Sequence, residues 1–164
     1  MTVRPATEDD LPAVAAIYDH EVAAGVATFD LEPRPLSAWR ERLASTEVGD
    51  HVLVLEVDGA VAGYATSSAY RPKAGYRHTR ETTIYLSPAA HGRGLGRSLY
   101  DALLGLLVGD GVHLALAAVA LPNPASLALH RACGFEEVGV MREVGFKHDR
   151  WIDVLWLQRL LASG

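Results

Sequence analysis

His91-Gly92-Arg93-Gly94-Leu95-Gly96-Arg97 is the stretch of this chain that decides its fold. An apolar, β-prone segment over residues 82–86 precedes it and breaks at Ser87-Pro88, and a run of apolar residues at helical spacing follows it. Small residues let backbone N–H groups approach a ligand closely, and the start of a helix adds the positive end of its dipole. The stretch therefore predicts a strand–loop–helix unit that binds a phosphate or diphosphate group.

Other phosphate-binding loops fit this stretch less well. A P-loop needs Lys-Ser or Lys-Thr after its last glycine, whereas Arg97-Ser98 stands here. A dinucleotide fingerprint needs the order G-x-G-x-x-G near the start of a strand–helix unit, whereas residues 92–96 read G-x-G-x-G in the middle of the chain. An ordinary glycine-rich connection is the remaining alternative, and the charges of Arg93 and Arg97 favour an anion site over it.

The composition bounds the class of protein. The 164 residues are 49% hydrophobic and 21% charged, which is typical of one globular domain over residues 1–164. A net charge of -5 argues against a broad basic face and so against a nucleic-acid partner. The single cysteine, Cys133, excludes an internal disulfide and fits a reducing cytoplasm. We expect a soluble cytoplasmic protein with no membrane segment and, because no His, Cys or carboxylate cluster has ligand spacing, no metal.

The order of predicted elements indicates a mixed α/β sheet. Strands are expected at 3–6, 51–56, 61–67, 78–86, 113–121, 138–146 and 151–160. Helices are expected at 11–25, at 37–46, directly after the glycine-rich stretch, and from Asn123-Pro124 to Gly134. The continuously apolar strand at 113–121 is typical of a central strand that is covered on both faces.

Two signatures in the chain resemble the acetyl-CoA-dependent N-acetyltransferases of the GNAT superfamily. The family's loop pattern, Gln/Arg-x-x-Gly-x-Gly/Ala, matches residues 91–96, although His91 stands where Gln or Arg is usual. The second signature is matched by Asn123-x-x-Ser126-x-x-x-His130, where the last polar position is often tyrosine. The resemblance implies a central sheet of about seven strands with about four helices, in which two neighbouring parallel strands splay apart.

A closer resemblance runs from Val3 to about Gln158. Four separated segments are similar to phosphinothricin acetyltransferases and related amino-acid N-acyltransferases: Ala27-Thr28-Phe29-Asp30, Tyr76-x-x-Thr79-x-Glu81, Gly145-Phe146-Lys147-His148 and Trp151-x-Asp153-Val154. The resemblance implies direct acetyl transfer to the α-amine of a small amino acid or analogue, such as phosphinothricin, methionine sulfoximine or methionine sulfone, and a homodimer. Other small amines, protein N-termini and a non-catalytic acetyl-CoA-binding regulator remain alternatives.

The resemblance also assigns the acetyl-CoA site. The diphosphate would be bound by the loop and the start of the helix, and the pantetheine arm by strand backbone and by the second signature. The residues so assigned are Arg93, Gly94, Leu95, Gly96, Arg97 and Ser98 for the diphosphate, and Ile84, Tyr85, Leu86, Asn123 and Ser126 for the arm.

Two residues are candidates for proton transfer. By period-two alternation Glu81 shares a strand face with Thr79 and Thr83, and its carboxylate would accept the proton of the attacking amine, directly or through water. The alternative is a solvated carboxylate paired with Arg80 or Arg77. His130 would protonate the departing thiolate or help as a base through water, and the alternative is a hydrogen-bonded packing histidine.

The acceptor site is expected at a basic loop. Arg71 and Lys73 align with basic residues of the related enzymes and would grip a carboxylate or phosphinate, with Arg77 and Arg80 as further cations. Phe29 and Tyr76 would form an apolar wall, and Lys147, with His148 and Trp151, would shape the far side of the pocket. The alternative for the loop is a solvated charged surface.

Overall fold

The computed structural model of the protein describes residues 1–161. The elements alternate as the sequence predicts, and short 3-10 turns at Glu8–Asp10, Ala74–Tyr76 and Pro88–Ala90 lie between them. The strands are β1 (Thr2–Pro5), β2 (His51–Val57), β3 (Ala60–Ala69), β4 (Thr79–Leu86), β5 (Leu114–Ala120), β6 (Glu136–Lys147) and β7 (Arg150–Leu160). The helices are α1 (Leu11–Ala24), α2 (Leu36–Leu43), α3 (Leu95–Gly109) and α4 (Pro124–Ala132).

These strands form one mixed sheet in the order β1-β2-β3-β4-β5-β7-β6. Every neighbouring pair is antiparallel except β4 and β5, which run parallel. The predicted α/β class is therefore confirmed, with seven strands and four helices in the described part of the chain. Helix α2 ends three residues before the predicted limit, in a segment where the Ser45 hydroxyl instead bonds the Asp50 carboxylate at 2.7 Å.

Two hydrophobic cores cover the two faces of the sheet. On one face α3 contributes Leu99, Leu103 and Leu107, and on the other α1 and α2 pack around Val54 and Tyr64. The side chains of β2 alternate between the two cores: Leu53 and Leu55 face α3, whereas Val54 faces α1. No helix within residues 1–161 has the length and apolar character needed to cross a membrane.

The acidic turn before α1 shows how the sequence fixes one helix start. The Thr7 backbone N–H donates to the Asp10 carboxylate at 2.7 Å, which is an acidic variant of the capping box. Arg4 of β1 donates to both oxygens of the same carboxylate, at 2.7 and 2.9 Å. These bonds hold the pKa of Asp10 well below its usual range, so the carboxylate is ionised in the folded protein.

The parallel strands β4 and β5 pair along only part of their length. Their register runs from Thr79 opposite Leu114 to Glu81 opposite Leu116 and then stops, although both strands continue. Strand β5 stays paired to β7 as far as Ala120, so the separation affects only its edge towards β4. This geometry confirms the predicted splay. Beyond Glu81 and Leu116, the facing backbone edges of β4 and β5 make no hydrogen bonds to each other.

Candidate active site

Two cavities meet at the gap between β4 and β5. The larger, of about 690 Å³, is bordered by the start of α3 and by α4. The smaller, of about 470 Å³, is bordered by α2, the segment after α1 and strand β6. Both are lined by Ala27, Thr83, Tyr85, Ala118 and Ala120. A ligand in one cavity can therefore touch a ligand in the other through the gap.

The glycine-rich stretch shapes the entrance of the larger cavity. Gly92 and Gly94 have φ values of +71° and +70°, which favour glycine, and α3 begins directly after Gly94 with no side-chain cap. A Cβ on Gly96 would come within 3.1 Å of the Leu129 side chain, so glycine allows α3 and α4 to approach. The free N–H groups at this helix start form a site for an anion.

Most of the predicted donor-site residues line the larger cavity. They are Ile84, Tyr85, Leu86, Gly94, Leu95, Gly96, Arg97, Asn123 and Ser126. Arg93 and Ser98 are exposed and lie outside the lining, so of residues 93–98 only the stretch from Gly94 to Arg97 lines the cavity. Asn123 caps α4 by accepting the Ser126 N–H at 3.1 Å, and the His91 ring bonds the Leu86 carbonyl at 3.1 Å.

Glu81 lines the smaller cavity and is partly buried there. The alternative of a carboxylate paired with Arg80 or Arg77 is not what the structure has, since no ion pair within residues 1–161 includes Glu81. Burial raises the pKa of Glu81, and the positive charge of Arg42 opposes that rise. The position combines access to the cavity with a carboxylate that holds a proton more readily than an exposed one.

His130 lies in the wall of the larger cavity and is 3% exposed. Its Nδ1 lies 2.7 Å from the Ser126 carbonyl oxygen, which can only accept, so Nδ1 carries the hydrogen. The ring packs edge-on against Tyr100 and Phe135, and burial lowers its pKa. This neutral tautomer can accept a proton at Nε2 but has none to donate there. These contacts are those expected of a hydrogen-bonded packing histidine, but His130 also lines the larger cavity.

The predicted basic loop stands at the rim rather than in the cavity. Arg71, Lys73 and Tyr76 are exposed and line neither cavity. The Arg71 guanidinium lies over the Tyr70 ring at 5.0 Å, and Tyr70 packs edge-on against Trp156, which does line the smaller cavity. The walls of this cavity therefore include neither of the two predicted anchoring cations.

The cations of two further residues predicted near the substrate make structural contacts. Lys147 is buried, and its Nζ donates to the carbonyls of Glu21 and Thr28 at 3.1 and 3.0 Å. Arg80 is 6% exposed, lies 3.2 Å from the Asp50 carboxylate and also bonds the Val48 carbonyl. Both cations are turned away from the smaller cavity because backbone and carboxylate oxygens hold them elsewhere.

Phe29 does line the smaller cavity, as predicted. Its ring lies against Gly145, where a Cβ would come within 2.3 Å of the ring, so glycine is needed for this contact. His148 reaches the Gly25 carbonyl at 3.2 Å, whereas Trp151 is exposed and packs against Phe146. The segment around residue 147 therefore supports the cavity wall from behind.

The cavity contains two arginines that the sequence analysis missed, Arg34 and Arg42. Arg34 donates to Asp30 at 2.8 Å and lies 4.6 Å from the Tyr18 ring centroid. Arg42 follows the buried Trp39 by one helical turn and so shares its face of α2. The spacing from Trp39 could have indicated that Arg42 faces inward, but it indicates a site residue only once α2 is known to lie over this cavity.

Comparison with known proteins identifies the family. A family model described as "Acetyltransferase (GNAT) family" matches residues 11–135. The chain belongs to this family. Phosphinothricin N-acetyltransferase of Alcaligenes faecalis is 44% identical over 99% of this chain and 84% of its own length. The GNAT assignment confirms the resemblance, and with it acetyl-CoA as the cosubstrate.

Solved structures agree with the GNAT fold. A phosphinothricin acetyltransferase from Sinorhizobium meliloti in complex with AcCoA has a TM-score of 0.93 and 41% identity, and the match covers 99% of this chain and 89% of that one. A ribosomal-protein-alanine N-acetyltransferase from Brucella melitensis also has a TM-score of 0.93, at 38% identity, with 98% and 99% covered. This GNAT acetyltransferase has no cluster of metal-ligating side chains among its described residues.

Proposed function

We propose that this enzyme moves the acetyl group of acetyl-CoA to the α-amine of a small amino acid or analogue, of the phosphinothricin, methionine sulfoximine or methionine sulfone type. The observation that carries the proposal is the meeting of the two cavities along Thr83, Tyr85 and the facing edge of β5. A helix start suited to a diphosphate lies on one side of the gap, and the Glu81 carboxylate lies on the other. Transfer would be direct, within a ternary complex.

On the donor side, acetyl-CoA supplies a thioester carbonyl as the electrophile. The N–H groups at the start of α3, from Gly94 to Arg97, would bind its diphosphate. The edge of β4 beyond Glu81 has no partner from β5, so the backbone of Ile84 to Leu86 is free to pair with the pantetheine amides. An N–H on this edge would also polarise the carbonyl, because it is fixed before the reaction begins.

On the acceptor side, Glu81 would remove the proton that keeps the amine from attacking. An α-amino group has a pKa near 8 at a peptide N-terminus, and the carboxylate of a free amino acid raises the pKa further, so making the amine neutral at pH 7 costs at least about 1.4 kcal/mol. Because the pKa of Glu81 is raised, it lies closer to the pKa of the substrate ammonium, which favours proton transfer to the carboxylate. A positioned base contributes on the order of 10²–10⁴-fold.

His130 would act as a second proton acceptor rather than as an acid. Its Nδ1 hydrogen is committed to the Ser126 carbonyl, and its Nε2 can receive a proton through water. The lowered pKa of the ring keeps it neutral around pH 7. We therefore assign it the water-relayed base role and leave protonation of the leaving thiolate to solvent.

We also propose a cytoplasmic homodimer. The edge strand β6 exposes Val138, Val140, Val144 and Phe146, beside Trp151 of β7. An exposed apolar edge strand is a template for pairing, and Val144 also lines the smaller cavity, so a second copy would close that wall. Sedimentation equilibrium should give twice the chain mass, and a monomer at micromolar concentration would contradict the dimer.

A protein N-terminus is the second candidate acceptor, since one similar solved structure is named a ribosomal-protein-alanine N-acetyltransferase. A thiol-release assay should compare free amino acids, the two sulfur analogues and phosphinothricin with peptides bearing the same first residue. We expect release with the free amino acids and little with the peptides. Release only with peptides would favour the second candidate, and binding of acetyl-CoA without release for any amine would favour the non-catalytic regulator.

A further inference from the structure

Arg42 brings a positive charge into the smaller cavity without a direct ion pair to a carboxylate there. Its Nη1 donates to the Thr66 hydroxyl at 2.9 Å, and no ion pair among residues 1–161 includes its guanidinium. The neighbouring Arg34, in contrast, is paired with Asp30. Burial lowers the pKa of Arg42, which reflects the cost of holding this charge away from water. An anionic ligand would offset that cost.

Arg42 reaches the sheet at Thr66 of β3, and the register of β3 and β4 places this contact one residue pair away from Glu81. Thr66 lies opposite Thr83, and their hydroxyls are 2.6 Å apart, while Ser68 lies opposite Glu81 as the next pair on the same face. Two residues along a strand span roughly 6.6 Å. The guanidinium bonded to Thr66 and the Glu81 carboxylate therefore face one cavity at adjacent steps.

This spacing suits a molecule that carries an ammonium and a carboxylate on one carbon. The two protein charges make no ion pair with each other, so each has hydrogen-bonding capacity for a ligand. A guanidinium can also grip a carboxylate with two parallel N–H bonds. Arg42 keeps further N–H groups for this purpose after its bond to Thr66.

We propose that Arg42 binds the α-carboxylate of the acceptor while Glu81 receives the proton of its amine. This inference rests on the proposed amino-acid acetyltransferase function and adds the residue that selects an α-amino acid over a simple amine. Arg71 and Lys73 are exposed at the rim, where solvent screens a charge and weakens its pairing. The partly buried Arg42, and not the exposed cations at the rim, then determines carboxylate recognition.

The test compares an amino-acid acceptor with its decarboxylated amine. Arg42→Gln should raise the KM of the amino acid roughly tenfold to hundredfold, the loss expected for a hydrogen-bonded charge pair, and leave the KM of the amine within about threefold. Arg42→Lys should recover part of the loss because it keeps the charge. Arg40→Gln is the matched control, since Arg40 lies on the same helix but is exposed and bonds Glu8.

Each outcome separates this inference from the function on which it rests. Calorimetric binding of acetyl-CoA should be the same in all variants, which shows that they are folded. If the wild type acetylates amino acids but Arg42→Gln raises both KM values equally, or only Arg71→Ala with Lys73→Ala raises the amino-acid KM, the role of Arg42 is wrong and the function stands. If the wild type acetylates no amino acid, the function is wrong and this inference falls with it.

Discussion

Thr82 donates a hydrogen bond from its hydroxyl to the carbonyl of Leu116 at 2.9 Å, at the point where β4 and β5 stop pairing. A side chain thus takes the place that a backbone N–H would hold in a continued ladder. The Tyr100 hydroxyl lies 2.6 Å from the same Thr82 oxygen, so it donates to Thr82 and fixes its orientation. The mouth of the gap between the two cavities is held by this buried chain of bonds.

Replacing Thr82 by Val should destabilise the protein. The change leaves the Leu116 carbonyl and the Tyr100 hydroxyl without their buried partner, which costs about 1–3 kcal/mol. Urea unfolding measures the loss, and the double variant with Tyr100→Phe should lose less than the sum of the single variants because the two groups form one network. Thr79→Val on the opposite face of β4 is the control. A loss for Thr82→Val no larger than that of the control would contradict the role.

Replacing Glu81 by Gln should lower kcat/KM at pH 7 by on the order of 10²-fold without changing the affinity for acetyl-CoA. The wild-type rate should rise with pH as Glu81 loses its proton, at a pH above the usual range of glutamate because burial raises its pKa. In the variant the rise that belongs to Glu81 disappears, and the rate should rise only as the amine itself deprotonates, above about pH 8. Glu47→Gln, at an exposed position, is the control. An unchanged pH profile would remove Glu81 from the base role.

Replacing Arg80 by Met should affect stability rather than substrate choice. Arg80 is buried against Asp50 and the Val48 carbonyl, so its loss leaves the partly buried Asp50 carboxylate without its ion-pair partner, at a cost of up to about 3 kcal/mol. The ratio of kcat/KM values for two amino-acid acceptors should stay within about twofold, since the side chain does not line the cavity. A large change in that ratio, with stability unaltered, would show that Arg80 contacts substrate after all.

The stability of the protein should fall in acid partly through Asp10. Its folded pKa is well below the value of about 3.9 in an unfolded chain, because Arg4 and Thr7 donate to the carboxylate. The stabilisation that ionised Asp10 gives to the folded state is therefore complete above about pH 5 and is lost as the pH falls through the folded pKa. Asp10→Asn should flatten this part of the profile measured by chemical unfolding between pH 3 and 6. An equally steep profile in the variant would contradict the linkage.

The sequence predicts the parts of this site that depend on local pattern. The glycine-rich stretch, the order of the elements and the position of Glu81 on its strand face follow from spacing within single segments, and the structure places them accordingly. Period-two alternation also explains Arg80, since the residue before Glu81 must face the opposite side of β4. Its partner Asp50, however, comes from another segment and is visible only after folding.

The acceptor side depends on how distant segments of the chain dock, which local sequence patterns do not reveal. The motif around Lys147 suggests a residue of the substrate pocket. Its ammonium instead donates to the carbonyls of Glu21 and Thr28, more than a hundred residues away in the chain. Arg42 belongs to no motif, and it lines the cavity because α2 places its guanidinium beside the buried hydroxyl of Thr66. Arg71 is prominent in the sequence because its loop is basic, but the cation that lines the cavity comes from α2, which docks over it.

The most direct measurement of the central claim is a crystal structure of the protein with acetyl-CoA. We expect the diphosphate against the N–H groups of residues 94–97, the pantetheine arm along Ile84 to Leu86, and the thioester in the gap between β4 and β5, facing the cavity of Glu81. Electron density for the diphosphate away from the start of α3, or for the thioester outside that gap, would contradict the claim.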